Sequence, residues 1–175
     1  MRLARYDDIN PTKAQRTAFD SGEPSLNRWL AQQARQSMES RDAVTYLLLD
    51  EEEGDGADAR IAGYYALAAG QILREAAPLD IAKRAPDPIP AVRMGRFAID
   101  RSYQGQGLGA ELLSEALLGA VTAGDLLGAR VMLVDAISDE AVDFYLHYGF
   151  IQSPIHPMQL VYDLRIVAAS AGHES

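Results

Sequence analysis

The chain has 175 residues, 48% hydrophobic and 23% charged, with a formal net charge of -9, the profile of one globular domain rather than a disordered segment. It contains no cysteine, which excludes a disulfide scaffold, thiolate metal sites and a sulfur nucleophile. No apolar run approaches the ~20 residues of a membrane span and the N-terminus has no signal-like apolar stretch, so a cytoplasmic chain without a membrane partner is expected.

In chain order, residues 23–39 read as a helix. Pro24 suits its first turn, Ser21 is a candidate cap, and Leu26, Trp29, Leu30 and Gln33 share one face. Residues 43–49 read as a buried strand, the acidic glycine-containing stretch 51–60 as a hairpin loop, and residues 61–69 as the return strand. Residues 70–91 carry Pro78, Pro86, Pro88 and Pro90 and read as irregular, with one helical turn near 78–84. A strand over 92–99 ends at Asp100. Residues 107–123 read as a helix whose apolar face is Leu108, Leu112, Leu113, Ala116, Leu117, Ala120 and Val121. Residues 129–135 form a continuous apolar strand, as in the middle of a sheet. A shorter helix over 138–148 and strands near 150–153 and 159–167 follow, then a small polar tail. The pattern is a mixed α/β single domain over residues 1–168, with a disordered tail at 169–175.

Charge is unevenly placed. Thirteen of the 16 basic residues lie in residues 1–100, whereas residues 101–175 hold three basic residues against nine acidic ones. The total disfavours a nucleic-acid partner, but the front half is near neutral with local basic clusters. Arg28, Arg35, Arg41, Lys83, Arg84, Arg93 and Arg96 are the residues able to form a phosphate-reading patch. The three histidines, His147, His156 and His173, are scattered, so no metal site is expected.

The most informative segment is Asp100-Arg-Ser-Tyr-Gln-Gly-Gln-Gly-Leu-Gly-Ala110, which follows a strand and opens a helix. Glycines at alternate positions expose backbone N–H groups, and a helix N-terminus adds partial positive charge, so the pair suits a phosphate or pyrophosphate. Gln104 can close the loop through its amide. A nucleotide P-loop would need Gly-Lys-Ser/Thr, and Ala110-Glu111 stands there instead. Gly105, Gly107 and Ala110 satisfy a dinucleotide fingerprint in form, yet only 65 residues follow Ala110, too few for a doubly wound sheet. A ligand-free turn would not need three glycines with their entropic cost.

Gln104-x-x-Gly107-x-Gly109 resembles the acetyl-CoA pyrophosphate loop of the GNAT N-acetyltransferases. Asp143-Phe-Tyr-Leu-His-Tyr-Gly-Phe150 is similar to that family's C-terminal helix and its aromatic-Tyr-x-x-x-Gly-Phe ending, and the resemblance covers residues 43–165. It implies a single-domain GNAT fold with a central mixed, mostly antiparallel sheet flanked by helices. Four further segments resemble the GNAT toxins of type II toxin–antitoxin systems. These are Phe19-Asp-Ser-Gly-Glu-Pro-Ser-Leu-Asn-Arg-Trp-Leu30, Ala62-Gly-Tyr-Tyr-Ala-Leu67, Met94-Gly-Arg-Phe-Ala-Ile-Asp100 and Val134-Asp-Ala-Ile137. Such toxins acetylate the α-amino group of aminoacyl-tRNA and pair with ribbon-helix-helix antitoxins. Many relatives carry cysteine where Ser21 stands.

The resemblance implies acetyl-CoA as co-substrate, charged tRNA as acceptor, an antitoxin partner and room for a homodimer. It assigns Tyr145 as the general acid toward the departing thiolate, with Tyr148 as the fallback. The backbone of Phe97, Ala98 and Ile99 would hold the pantetheine arm. Gln104, Gly105, Gln106, Gly107, Leu108, Gly109 and Ala110 would surround the pyrophosphate. Ser138 is either a contact to the CoA arm or a plain helix cap. Arg28, Arg93 and Arg96 are the expected acceptor contacts. With no cysteine, direct attack in a ternary complex is expected. Asp100 and Asp135 are the candidate bases, and both read equally well as turn or cap residues. An α-amino group, with a pKa of about 7.7–8.0, needs little help from a base. An ordinary GNAT acting on a small-molecule or protein amine, and an acyl-CoA-binding regulator without turnover, remain the alternatives.

Overall fold

The computed structural model describes residues 1–52 and 58–172. Half of the expected acidic hairpin loop, residues 53–57, and the last three residues of the expected tail lie outside the described residues. Strands are β1 (Arg2–Arg5), β2 (Val44–Asp50), β3 (Arg60–Ile72), β4 (Ile89–Ile99), β5 (Val131–Asp135), β6 (Ile151–Gln152) and β7 (Gln159–Asp163). Helices are α1 (Tyr6–Ile9), α2 (Lys13–Ala18), α3 (Pro24–Gln32), α4 (Ala34–Glu39), α5 (Leu79–Ala82), α6 (Leu108–Leu127), α7 (Asp139–His147) and α8 (Leu164–Gly172). The strands follow the order β1-β2-β3-β4-β5-β7-β6 in a mixed sheet. The β1–β2, β2–β3, β5–β7 and β6–β7 ladders are antiparallel, and β4–β5 is parallel. The parallel pair is what a strand–helix–strand passage through α6 produces.

Two compact units can be distinguished, Met1–Ala68 with Arg96–Leu113, and Ala69–Gly95 with the chain from Ser114 onward. The first has a core of Tyr6, Phe19, Leu26, Trp29, Leu30, Leu47, Leu49, Ile61 and Tyr64. In it Tyr64 stacks on Trp29 at 5.9 Å, meets Phe19 edge-on at 5.4 Å, and donates its hydroxyl to the Leu26 carbonyl at 2.6 Å. The second is built on Ile72, Ile81, Ile89, Val131, Leu133 and Val161. There β5 is buried over Val131–Val134, as its unbroken apolar run demands.

Several expectations change in detail. The helix expected over 23–39 is two helices, because Gln33 leaves helical geometry at φ -121° and ψ -25°. Gln33 is exposed while Leu26, Trp29 and Leu30 are buried. Pro24 does occupy the first turn, but Glu23 is the cap position and Ser21 bonds elsewhere. The strand expected over 159–167 ends at Asp163, where the carboxylate accepts the Arg165 backbone N–H at 3.0 Å and starts α8. The chain therefore stays helical to Gly172 instead of fraying after Ala168.

Candidate functional site

The glycine segment is built from the end of β4. Asp100, only 3% exposed, accepts the Ser102 backbone N–H at 2.9 Å and the Ser102 hydroxyl at 2.6 Å, which opens a 3-10 turn over Arg101–Tyr103. Its other oxygen accepts the Asp20 backbone N–H at 2.9 Å. Arg60 approaches at 3.6 Å and donates to the Ser102 hydroxyl at 3.0 Å. Tyr103 is buried, with its hydroxyl donating to Asp50 at 2.6 Å. Gln104 then closes the loop as expected, since its amide donates to the carbonyls of Ile99 at 2.9 Å and Ser21 at 3.0 Å.

Gly105 and Gly107 adopt φ of 78° and 82°, and among the described residues a Cβ on either meets nothing within 4 Å beyond its chain neighbours. Glycine is required there by backbone conformation, not by crowding, and the space over the loop is open. Leu108 buries its side chain at the start of α6, and Gly109 and Ala110 lie in the first turn. An open loop of left-handed glycines leading into a 20-residue helix fits a pyrophosphate, because no side chain shields the backbone dipoles. On the preceding strand, Ala98 is buried, and Phe97 and Ile99 are half-buried.

The Asp20–Gly22 turn is bound to this segment. The Arg101 N–H donates to the Asp20 carbonyl at 2.8 Å. Asn27 receives the Ser21 N–H and hydroxyl, each at 2.8 Å, and donates to the Asp20 carboxylate at 2.9 Å. The Ser21 hydroxyl also accepts the Glu23 N–H at 3.2 Å. Serine is thus an active hydrogen-bonding residue at this position, a task to which a thiol is poorly suited. Sequence reasoning missed the roles of Asp20 and Asn27, although Asp-Ser-Gly marks a turn.

Of the expected acceptor contacts, Arg28 is exposed on α3, and the Arg96 guanidinium lies 5.4 Å from the Trp29 ring centroid. Both belong to the unit that holds the glycine loop. Arg93 belongs to the other unit, where it is paired with Asp135 at 2.8 Å, so its charge is largely offset. Arg35, Arg41, Lys83 and Arg84 are exposed.

In the second unit, Ser138 caps α7 by accepting the Ala141 N–H at 3.1 Å, which is the cap reading. Tyr145 on α7 is 7% exposed. Its ring packs against Phe144 at 5.4 Å and Phe150 at 5.1 Å, and its carbonyl accepts the Phe150 N–H at 3.0 Å. Gly149, at φ 94°, makes the turn between them. Burial pushes the Tyr145 phenol well above its ordinary value, because a phenolate loses its hydration there, so the side chain is a neutral donor. His147 and Tyr148 are exposed. Asp135 is held by Arg93 and by the Gln159 amide at 3.4 Å. Asp100 has its oxygens occupied by donors. Neither carboxylate is set up as a base.

Among the described residues no helix is long and apolar enough to cross a membrane. The sequence family described as "Acetyltransferase (GNAT) domain" matches residues 46–152. A tRNA-acetylating toxin of Mycobacterium tuberculosis (strain ATCC 25618 / H37Rv) is 35% identical over 171 residues, covering 98% of this chain and 95% of that protein. The structure of AtaT complexed with acetyl-methionyl-tRNAfMet superposes with a TM-score of 0.85 at 28% identity, covering 97% of this chain and 98% of the other. A mutant AtaT bound to the C-terminus of the antitoxin AtaR and acetyl-CoA superposes with a TM-score of 0.77 at 25% identity, covering 97% of each chain.

Proposed function

We propose a function from one premise: the chain belongs to the GNAT acetyltransferase family. It is an acetyl-CoA-dependent N-acetyltransferase, and its acceptor is the α-amino group of an aminoacyl-tRNA, so that it blocks translation as the toxin of a toxin–antitoxin pair. The observation that carries the cofactor reading is the open loop at Gly105 and Gly107, clamped by Gln104. The acceptor reading is supported by the relatives, one named as a tRNA-acetylating toxin and one solved with an acetylated aminoacyl-tRNA. Its partner is then an antitoxin of the ribbon-helix-helix class. Its compartment is the cytoplasm, where charged tRNA is found. Residues 1–168 act as one catalytic domain.

Acetyl-CoA supplies the thioester acetyl group. Gln104–Ala110 hold the pyrophosphate through backbone dipoles, and the Phe97–Ile99 backbone receives the pantetheine arm as an added strand. The acceptor nitrogen attacks the thioester carbon, the carbon–sulfur bond breaks, and the Tyr145 phenol gives its proton to the departing sulfur. The amine loses its proton to water, which suffices at a pKa of about 7.7–8.0. Arg28 and Arg96 contact acceptor phosphates.

Gly107→Glu combines strain at φ 82° with a negative charge in the anion cradle. The Kd for acetyl-CoA, read by calorimetry, rises on the order of 10²-fold or more, with the far-UV spectrum retained. Unchanged affinity removes the loop from the site.

Incubation with labelled acetyl-CoA and charged total tRNA tests the acceptor. The expected product is N-acetyl-aminoacyl-tRNA. With two or three phosphates neutralised, activity falls roughly 10–40-fold between about 50 and 200 mM salt. Arg28→Glu with Arg96→Glu flattens that slope and spares acetyl-CoA binding. A salt-independent rate, or equal turnover of a free amino-acid ester, identifies a small-molecule acetyltransferase instead.

A further inference from the structure

We propose that Asn27 is a positioning residue for acetyl-CoA: through the Asp20–Gly22 turn it holds Gln104, and with it the glycine loop, in the shape that accepts a pyrophosphate. This rests on the reading of Gln104–Ala110 as the pyrophosphate site.

Asn27 lies in the first turn of α3, yet its amide serves residues outside the helix. It donates to Asp20 at 2.9 Å and accepts from the Ser21 N–H and hydroxyl at 2.8 Å each. A carboxamide is the one group of this length that can do both. Aspartate would lose the donor and set a like charge against Asp20, and alanine would leave the turn only its internal bonds, from the Gly22 N–H to Asp20 at 2.9 Å and from the Glu23 N–H to the Ser21 hydroxyl at 3.2 Å.

The turn that Asn27 fixes sends its bonds to one place. The Asp20 N–H goes to Asp100 at 2.9 Å, the Arg101 N–H comes to the Asp20 carbonyl at 2.8 Å, and the Gln104 amide comes to the Ser21 carbonyl at 3.0 Å. Arg101 also lies 3.8 Å from the Asp20 carboxylate. A Cβ on Gly22, at φ 91°, would stand 3.0 Å from the Arg101 side chain, so the turn packs directly against that residue. Every link therefore lands between Asp100 and Gln104, immediately before Gly105.

What makes these links matter is the loop itself. Among the described residues, no atom beyond the chain neighbours stands within 4 Å of a Cβ at Gly105 or Gly107, so packing against these two positions does not set the loop's shape. Its shape is set by α6 on one side, by Gln104 on the other, and by the Gln106 amide, which donates to the Ser102 carbonyl at 3.4 Å. An exposed glutamine with one of its two carbonyl partners displaced leaves the first glycine free to wander. A misplacement of about 1 Å by a distant substitution can cost on the order of 10²-fold.

The test uses the full chain, charged total tRNA as the acceptor, and two acetyl donors, acetyl-CoA and acetyl-pantetheine, which lacks the pyrophosphate. Asn27→Ala raises KM for acetyl-CoA about 10–10²-fold with kcat nearly kept, and leaves kcat/KM for acetyl-pantetheine unchanged. Exchanging the pair, Asp20→Asn with Asn27→Asp, keeps one amide opposite one carboxylate and returns KM toward the wild-type value. Melting temperatures identify variants that fail to fold. Calorimetric Kd values for CoA, measured on the folded Asn27→Ala and exchanged proteins, follow the KM changes. Equal losses with both donors, no effect of Asn27→Ala, or an exchanged protein that folds but does not recover overturns the positioning role. If Gly107→Glu also leaves KM for acetyl-CoA unchanged, the loop reading falls with it; an effect of Gly107→Glu alone sinks only the role of Asn27.

Discussion

With Tyr145 as the proposed acid, Tyr145→Phe is expected to lower kcat by about 10²–10⁴-fold, because it removes the proton donor and keeps the ring. The ring stays between Phe144 and Phe150, so melting temperature and acetyl-CoA affinity change little. The pH profile carries a second signature. Burial raises the phenol pKa, so the acid remains protonated through and beyond the ordinary tyrosine value of about 10. The wild-type rate therefore rises as the acceptor amine loses its proton and shows no descending limb below about pH 10 from loss of the acid. The same shift has a stability sign. The unfolded chain ionises its tyrosines first, so the contribution of buried Tyr145 is complete below about pH 10 and is lost as pH climbs toward the raised folded value. A phenylalanine variant with wild-type turnover would assign Tyr145 to packing alone.

The sequence is most legible where one local rule dominates. The helix over residues 107–123 follows from its apolar period, and Leu108, Leu112, Leu113, Ala116 and Ala120 are indeed buried. The continuous run at 129–135 becomes β5, buried between parallel and antiparallel neighbours. The glycine loop is legible because left-handed backbone next to a helix start has few uses besides an anion. Residues 2–18 are not read at all. β1 pairs on one side only and has four residues, too few for an alternating pattern to show. α2 did carry a signal, since Thr12 and Gln15 form a capping box of the Thr-x-x-Gln kind. The break at Gln33 has no glycine or proline to announce it. Over residues 164–167 the expected strand gives way to α8, because Asp163 accepting the Arg165 N–H is the stronger local signal. The Asp20–Asn27 lattice joins positions some 80 apart in sequence to the loop, as in the 83-residue separation of Gln104 and Ser21, and no local pattern encodes such a contact.

Asp100→Ala costs about 3–5 kcal/mol of stability. The carboxylate is buried and its three hydrogen bonds come from the Ser102 N–H, the Ser102 hydroxyl and the Asp20 N–H. Two orphaned backbone donors at about 1–3 kcal/mol each supply most of the loss. The ion pair with Arg60 adds little, because Arg60 is 42% exposed at 3.6 Å and water screens it. For a chain of this size the melting temperature drops by roughly 6–20 °C. Asp100→Asn recovers only part of the loss, since its amide nitrogen must face one of those donors with a donor of its own. The substitution also separates a base from a scaffold. A general base would leave its mark on the pH dependence of kcat while sparing stability. Asp100 as a scaffold does the reverse: stability falls and KM for acetyl-CoA rises through the Asp20 turn and Gln104, while the apparent pKa of the rate stays at that of the acceptor amine. A stable Asp100→Ala protein with a shifted pH profile would restore the carboxylate to the chemistry.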